Sequence, residues 1–252
     1  MAGRTFPISS QILIFHSEIA SMSHESVSVE QVAAENQRYM VRVYSWMTLA
    51  MVITGAVAAY TASSEQLTML IIGNRFVLIG LLVVQLIAVG VLSRLINKMS
   101  ATTATVIFIV YSVLFGLTLS GIFVLYTAES IGSTFFITAG TFGAMSVYGY
   151  FTKTDLSKWG NLLFMALIGL IIASVVNWFF KSTTLYWITT CVGVLLFTAL
   201  TAYDTQKLKH TNIIGNEGTD EDHKEAIMGA LTLYLDFINL FLYLLRIFGR
   251  RR

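Results

Sequence analysis

The sequence predicts an all-α integral membrane protein with seven transmembrane helices, and three observations carry this prediction. Of the 252 residues, 56% are hydrophobic and only 12% are charged, whereas a soluble domain carries about 25% charged residues. The mean hydropathy is +0.72. The apolar residues also lie in long segments that short polar stretches separate. Because too few polar side chains are present to cover a water-facing surface, lipid is the expected solvent for most of the chain.

The first 37 residues differ from the rest in being polar and mixed in charge. They lack the continuous apolar core and the cleavage site of a signal peptide. Their one apolar run, 12–15, is too short to cross a bilayer. We therefore expect a largely disordered cytoplasmic tail over residues 1–37, followed by a membrane domain over residues 38–252.

Seven segments after the tail have the length and apolarity of membrane spans, since about 20 residues cross about 30 Å of hydrocarbon. Only the sixth connection, 206–226, is long, and the one proline, Pro7, lies outside every span, so none is broken by proline. The predicted spans are 41–62, 76–96, 104–126, 131–151, 162–180, 185–205 and 227–248.

The lysines and arginines of the short loops predict the orientation, because they collect on the cytoplasmic side. Before the C-terminus, only Arg75 and Lys181 fall on the opposite side, so the N-terminus is expected in the cytoplasm. Arg246 and residues 250–252 then break the rule if the last segment crosses completely. A re-entrant last segment is the alternative, and we favour a complete crossing. The residues of the positive side are Arg38, Arg42, Arg94, Lys98, Lys153, Lys158, Lys207, Lys209 and Lys224.

Several classes of function lack their sequence features here. A net charge of +2 and the lack of a basic stripe argue against a nucleic-acid partner. One cysteine, Cys191, cannot form an internal disulfide or a cysteine cluster. His210 and His223 have no third ligand at metal spacing, and the sequence contains no phosphate loop, zinc-protease motif or nucleophile elbow. We therefore expect neither an enzyme nor a resident cofactor.

Asp236 is the strongest candidate for a functional residue, because it lies in the middle of the last span among apolar neighbours. A charge at that depth costs at least about 2.5–3.5 kcal/mol and usually faces a partner or a cavity. Thr232 and Asn239 lie four residues before it and three after it, so the three form one polar face of a helix. A carboxyl group buried only for packing is the alternative.

Asp204 lies near the cytoplasmic end of the sixth span, where it could also be solvated. Two carboxyl groups that meet in a dry interior share a proton and titrate as a unit. At about 1.5 Å per residue, Asp204 lies about 7 Å inside the span and Asp236 about 15 Å. A tilted helix, or a seventh helix that starts below the surface, is needed to bring them together.

Arg94 closes the second span on the same side. It is either a loop residue that extends to the interface or a latch that pairs with Asp204, closes a pore and is released when the carboxyl group is protonated. The acidic residues Asp220, Glu221, Asp222 and Glu225 are expected in a solvated loop, or else attract cations to the mouth.

Two segments resemble the signatures of the Bax inhibitor-1 family. One is Leu-Tyr-Leu-Asp-Phe-Ile-Asn-Leu-Phe at 233–241, followed by Leu-Leu-Arg at 244–246. The other is Ala-Tyr-Asp-Thr-Gln at 202–206, which contains Tyr203 beside Asp204. The resemblance covers about residues 37–249, and the extended tail is similar to that of the family's bacterial YccA-like branch.

The resemblance implies a fold in which a central seventh helix is wrapped by two three-helix layers. It also implies a pH-sensitive calcium leak, a hydrogen-bonded dyad at Asp204 and Asp236, and an arginine latch at Arg94. The acidic residue that the family carries in the second span has no match here, where Val83, Val84 and Gln85 stand.

Three functions remain open on this basis, all in a bacterial inner membrane. The first is a cation leak channel in which Ca²⁺, which prefers hard oxygen ligands, passes the two aspartates under the control of protons. The second is a regulatory protein that binds and restrains a membrane protease or a stress factor. The third is a proton-coupled transporter that uses the dyad as a relay.

Overall fold

The computed structural model describes the backbone of residues 8–252 and the side chains of residues 30–252. Within these residues it contains eight α-helices, two 3₁₀ turns at Ile96–Lys98 and Leu156–Trp159, and no strand. The predicted all-α class is confirmed, and residues 8–37 of the predicted tail belong to the first helix. The tail over 1–37 otherwise stays a prediction. The helices are α1 Ile8–Ser63, α2 Glu65–Ile71, α3 Arg75–Leu95, α4 Ala101–Leu125, α5 Ala128–Phe151, α6 Gly160–Phe180, α7 Thr183–Thr211 and α8 Asp220–Phe248.

Six helical segments in the described part of the chain are long and apolar enough to cross a membrane. The predicted fourth span, 131–151, is not among them, although it coincides with the 24-residue helix α5. Threonines and serines lower the hydropathy of α5, and Thr134, Thr138 and Ser146 are buried against the protein. The six segments are Glu30–Ser63, Arg75–Lys98, Ala101–Leu125, Leu156–Phe180, Thr183–Thr211 and Asp220–Phe248.

The last helix is the most buried of these segments. In the apolar stretch of α8, 67% of the residues are buried inside the protein. The corresponding share is 11% for the segment that contains α3 and 6% for the segment that contains α6. α8 packs against α1, α4, α5 and α7, whereas α3 packs on α4 and α6 on α7. Since α3 and α6 contact few other helices, most of their apolar surface is left to lipid.

α8 begins earlier than expected, at Asp220 rather than at residue 227. The acidic run predicted as a solvated loop is therefore the start of this helix. Thr219 caps it by accepting a hydrogen bond from the backbone N–H of Asp222 at 3.2 Å. Carboxylates in a first turn are stabilised by the positive end of the helix dipole, which explains why the helix includes them.

α8 also extends along the complete length of α4, and the contacts at its two ends show this. At one end, the backbone N–H of Ala101 donates to Oδ1 of Asp220 at 2.9 Å. At the other end, the backbone N–H of Thr127 donates to the carbonyl oxygen of Arg250 at 3.0 Å. An isolated β-bridge joins Tyr126 to Arg251. α8 is therefore one continuous helix at least as long as α4, and its complete crossing of the bilayer stays a prediction.

The helices that carry the predicted site approach closely at a glycine. A Cβ added at Gly149 of α5 would overlap the carbonyl oxygen of Ala202 in α7, two residues before Asp204. Gly149 is itself buried. This contact lets the backbones of α5 and α7 touch, as small residues do in membrane bundles.

Gly149→Ala is expected to lower the free energy of unfolding by about 1–3 kcal/mol, because the added methyl group overpacks the contact with Ala202. Gly140→Ala on the same helix is the matched control, since nothing lies within 4 Å of a Cβ at that position. The midpoint of thermal unfolding in detergent measures both. Equal midpoints for the two variants would contradict the close α5–α7 contact.

Candidate functional site

The carboxyl groups of Asp204 and Asp236 meet between α7 and α8. They face each other at hydrogen-bonding range, and their residues are only 9% and 5% exposed. The structure therefore brings together the two aspartates on which the predicted site depends. Buried carboxyl groups in contact cannot both keep a negative charge without a large cost, so such a pair holds a proton between them.

Asp236 has little other support, although the sequence predicted a polar face around it. Its Oδ2 atom is buried without a hydrogen-bond partner. Oγ1 of Thr232 donates to the carbonyl oxygen of Met228 at 3.0 Å, and Nδ2 of Asn239 donates to that of Leu235 at 2.8 Å. Both predicted helpers thus bond to their own helix. Asp204 is therefore the side chain that faces the Asp236 carboxyl group.

Aromatic side chains close both flanks of α8 at this depth. The hydroxyl group of Tyr234 lies 2.7 Å from Oγ1 of Thr54, which donates to the carbonyl oxygen of Ser112 at 3.0 Å, so Tyr234 is the donor to Thr54. On the other flank, the ring of Phe237 lies 5.5 Å from that of Phe135 and 5.4 Å from that of Phe142. Both aspartates are therefore enclosed by neighbouring side chains.

The residues next to Asp204 fix the end of α7. Oε1 of Gln206 accepts from the backbone N–H of Leu156 at 2.8 Å, and Nε2 of Gln206 donates to the carbonyl oxygen of Thr154 at 2.8 Å. Tyr203 is half-buried, and its hydroxyl group lies against Gly160 at the start of α6. Both side chains hold the linker between α5 and α6, so they position Asp204 and do not contact the pair.

Arg94 does not form the predicted latch in this structure. It is exposed at the end of α3, and the ion pairs found among residues 30–252 do not include it. Gln85, which stands near the position of the family's acidic residue, is buried. Its Nε2 atom donates to the carbonyl oxygen of Leu114 at 3.1 Å and to Oγ1 of Thr118 at 2.7 Å. Gln85 therefore joins α3 to α4.

Sequence reasoning missed a cluster of charges that ties α1 to the start of α8. We call Arg38, Arg42, Glu217 and Asp222 the loop clamp. Nη2 of Arg42 lies 2.7 Å from Oδ1 of Asp222, and Nη1 lies 3.3 Å from Oε1 of Glu217. Nε of Arg38 lies 2.7 Å from the same Glu217 oxygen. One feature of the sequence could have revealed this cluster. Arg38 and Arg42 lie one helical turn apart, and an acidic run of similar length stands before the last span.

The loop clamp combines a buried pair with an exposed one. The Asp222 side chain is 1% exposed, and its Oδ2 also accepts from the backbone N–H of Gly218 at 2.8 Å. Glu217 is at the surface, where its hydrogen bond with Arg38 lowers the pKa of the Glu217 carboxyl below its ordinary value. The exposed pair therefore stays ionised at neutral pH and loosens only when the pH falls through that lowered value.

Metal binding at the aspartate pair would depend on two carboxyl groups alone. In the part of the chain that the structure describes, no group of three or more histidine, cysteine, aspartate or glutamate side chains could hold a metal ion. Ca²⁺ takes six to eight oxygen ligands in stable sites. Asp204 and Asp236 alone therefore do not make a permanent Ca²⁺ site.

Comparison with known proteins gives one family and several bacterial relatives. The family model described as inhibitor of apoptosis-promoting Bax1 matches residues 36–252. The inner membrane protein YbhL of Escherichia coli K12 is 56% identical over 228 residues, which are 90% of this chain and 97% of YbhL. A protein of Rickettsia prowazekii is 46% identical over 86% of this chain and 91% of its own length. A protein of Borreliella burgdorferi is 44% identical over 85% of this chain and 93% of its own length.

Arg42→Gln is expected to lower the free energy of unfolding by about 2–3 kcal/mol, because Asp222 would be left buried without its counter-charge. Arg38→Gln is the matched control and should cost much less, since its pair is exposed and screened by solvent. Thermal unfolding measures the difference, and limited proteolysis of residues 212–219 reports the release of the loop. Equal losses in the two variants would show that Arg42–Asp222 is not the main contact of the clamp.

Proposed function

The chain belongs to the Bax inhibitor-1 family, and from this premise we propose that it is a pH-sensitive leak pathway for cations. Ca²⁺ is the proposed transported ion, and the bacterial inner membrane is the proposed location, as the name of YbhL states for that relative. The contact between the carboxyl groups of Asp204 and Asp236 in a closed interior is the observation that carries the proposal.

The aspartate pair supports this function because it joins a proton site to an ion-binding site. Carboxylate oxygens are the ligands that Ca²⁺ prefers, and the same oxygens take up protons. Both carboxyl groups are buried in this structure. In the proposed open state, they would face water or a passing cation.

The topology of the proposed pathway follows the fold that the resemblance implies. We propose that α5 is a seventh crossing, because its 24 residues span about 36 Å at about 1.5 Å per residue. Its buried hydroxyl groups face the protein rather than lipid. α1, α3 and α4 then form one layer and α5, α6 and α7 the other, with α8 between them. The basic loops place the N-terminus in the cytoplasm.

Arg94 supplies the latch in this proposal. At higher pH the ionised Asp204 attracts the guanidinium group and the pathway is held shut. At lower pH the carboxyl group takes up a proton, Arg94 is released and Asp204 pairs with Asp236. The exposed, unpaired Arg94 and the aspartate contact of this structure agree with the released arrangement, whose aromatic flanks have not yet opened.

The leak is tested with purified protein in liposomes that contain a calcium indicator. Flux through the wild type should rise as the pH changes from mildly alkaline to mildly acidic. Asp236→Asn should reduce flux, because a charged ligand is lost at the centre of the pathway. Glu129→Gln, which changes an exposed carboxylate at the start of α5, is the control. Flux that is the same in all three proteins would reject the leak and favour a regulatory role.

The latch makes a separate prediction, namely that Asp204→Asn and Arg94→Gln both remove the dependence of flux on pH. Each removes one partner of the same ion pair, so each should abolish the dependence of flux on pH and leave the pathway unlatched. Arg75→Gln, an exposed arginine at the start of α3, should keep the dependence. If Arg94→Gln behaves like Arg75→Gln, the latch is wrong while the leak itself stands.

A further inference from the structure

A pocket of about 790 Å³ lies at the end of the bundle that holds the C-terminus. The α6–α7 turn and the last residues of α8 form its walls. We call it the basic pocket, and its charged residues are Lys181, Arg246 and Arg251. It lies at the far end of α8 from the loop clamp, so it is separate from the groups in the proposed cation pathway.

The charge of the basic pocket is not balanced by protein groups. None of its lining residues is acidic, and the ion pairs found among residues 30–252 include none of Lys181, Arg246 and Arg251. Three cations that share one pocket repel one another unless an anion joins them. The residues that line the basic pocket therefore favour a negatively charged ligand.

The two arginines are held in place by tyrosines. The guanidinium group of Arg246 lies 4.8 Å from the ring centre of Tyr243 and 5.6 Å from that of Tyr186. The backbone of Arg251 forms the β-bridge to Tyr126, and Arg251 lines the pocket together with Tyr186. Fixed guanidinium groups lose less entropy on binding a phosphate than mobile ones do.

One further feature of the lining favours an anion. The N-terminus of the 29-residue helix α7 opens into the pocket at Ser182 and Thr183. Backbone N–H groups and the helix dipole at such an end attract negative charge.

The rim of the pocket is aromatic and exposed. Trp178 is 74% exposed and Trp187 47%, and both line the pocket. Tryptophans in this position are typical of the level of the lipid headgroups. The pocket therefore lies at the depth where a phospholipid presents its phosphate.

We propose that the basic pocket binds a phosphate group, carried by an anionic phospholipid such as phosphatidylglycerol or present as the free anion. The arginines of the C-terminus violate the positive-inside rule when α8 crosses completely, and a bound headgroup gives those charges a partner on that side. The site also fixes the end of α8 to the lipid, at the opposite end from the loop clamp.

The test uses the full chain in detergent, freed of lipid, with added phosphatidylglycerol, phosphatidylcholine or inorganic phosphate. Thermal midpoints over a range of concentrations give apparent affinities, and native mass spectrometry counts the lipids that stay bound. Phosphatidylglycerol should raise the midpoint more than phosphatidylcholine. Lys181→Gln should weaken this effect by about fivefold, and the double variant Arg246→Gln with Arg251→Gln by about twentyfold.

Arg75→Gln is the matched control, because Arg75 is exposed at the same end of the bundle and does not line the pocket. Its response to phosphatidylglycerol should equal that of the wild type. If inorganic phosphate protects as well as the lipid does and depends on the same residues, the site binds the free anion. The proposal is overturned if Lys181→Gln and the double variant respond to phosphatidylglycerol and to phosphate as the wild type does. It is also overturned if phosphatidylcholine acts as strongly as phosphatidylglycerol.

Discussion

The packing of α5, α7 and α8 is organised around the contact between the carboxyl groups of Asp204 and Asp236. Asp236 lies in the most buried helix of the protein, where an isolated carboxylate is unstable. Asp204 gives it a partner only because α7 and α8 are adjacent in space. Gly149 brings α5 against the same part of α7. The aromatic flanks formed by Tyr234 and Phe237 then enclose the pair.

The two ends of α8 are fastened by different kinds of interaction. At the start, Arg42 pairs with the buried Asp222 and ties the helix to α1. At the end, the backbone of Arg251 bridges to Tyr126 between α4 and α5. The middle is held by packing, because Tyr234, Asp236 and Phe237 are buried there. A change at the aspartate contact would therefore act between two fastened ends of the helix.

The sequence predicted the helical class, most span positions and the aspartate pair, because these follow from hydropathy and from motifs that are local in the chain. It did not predict the clamp, since Arg42 and Asp222 are 180 residues apart and each looks like an ordinary loop charge. It also placed Thr232 and Asn239 beside Asp236 from helical spacing alone. Their side chains instead bond to carbonyl groups of their own helix, a local choice that spacing cannot reveal.

The position of the basic residues links the orientation to the fold. Arg38 and Arg42 at one end are neutralised within the protein by Glu217 and Asp222. Arg246 and Arg251 at the other end are oriented by tyrosines and have no described acidic partner. A helix that crosses completely must carry those arginines to the side that the loop charges disfavour. The cost is acceptable only if something outside the chain neutralises them, and an anionic headgroup at the same depth is the chemistry that the bilayer offers.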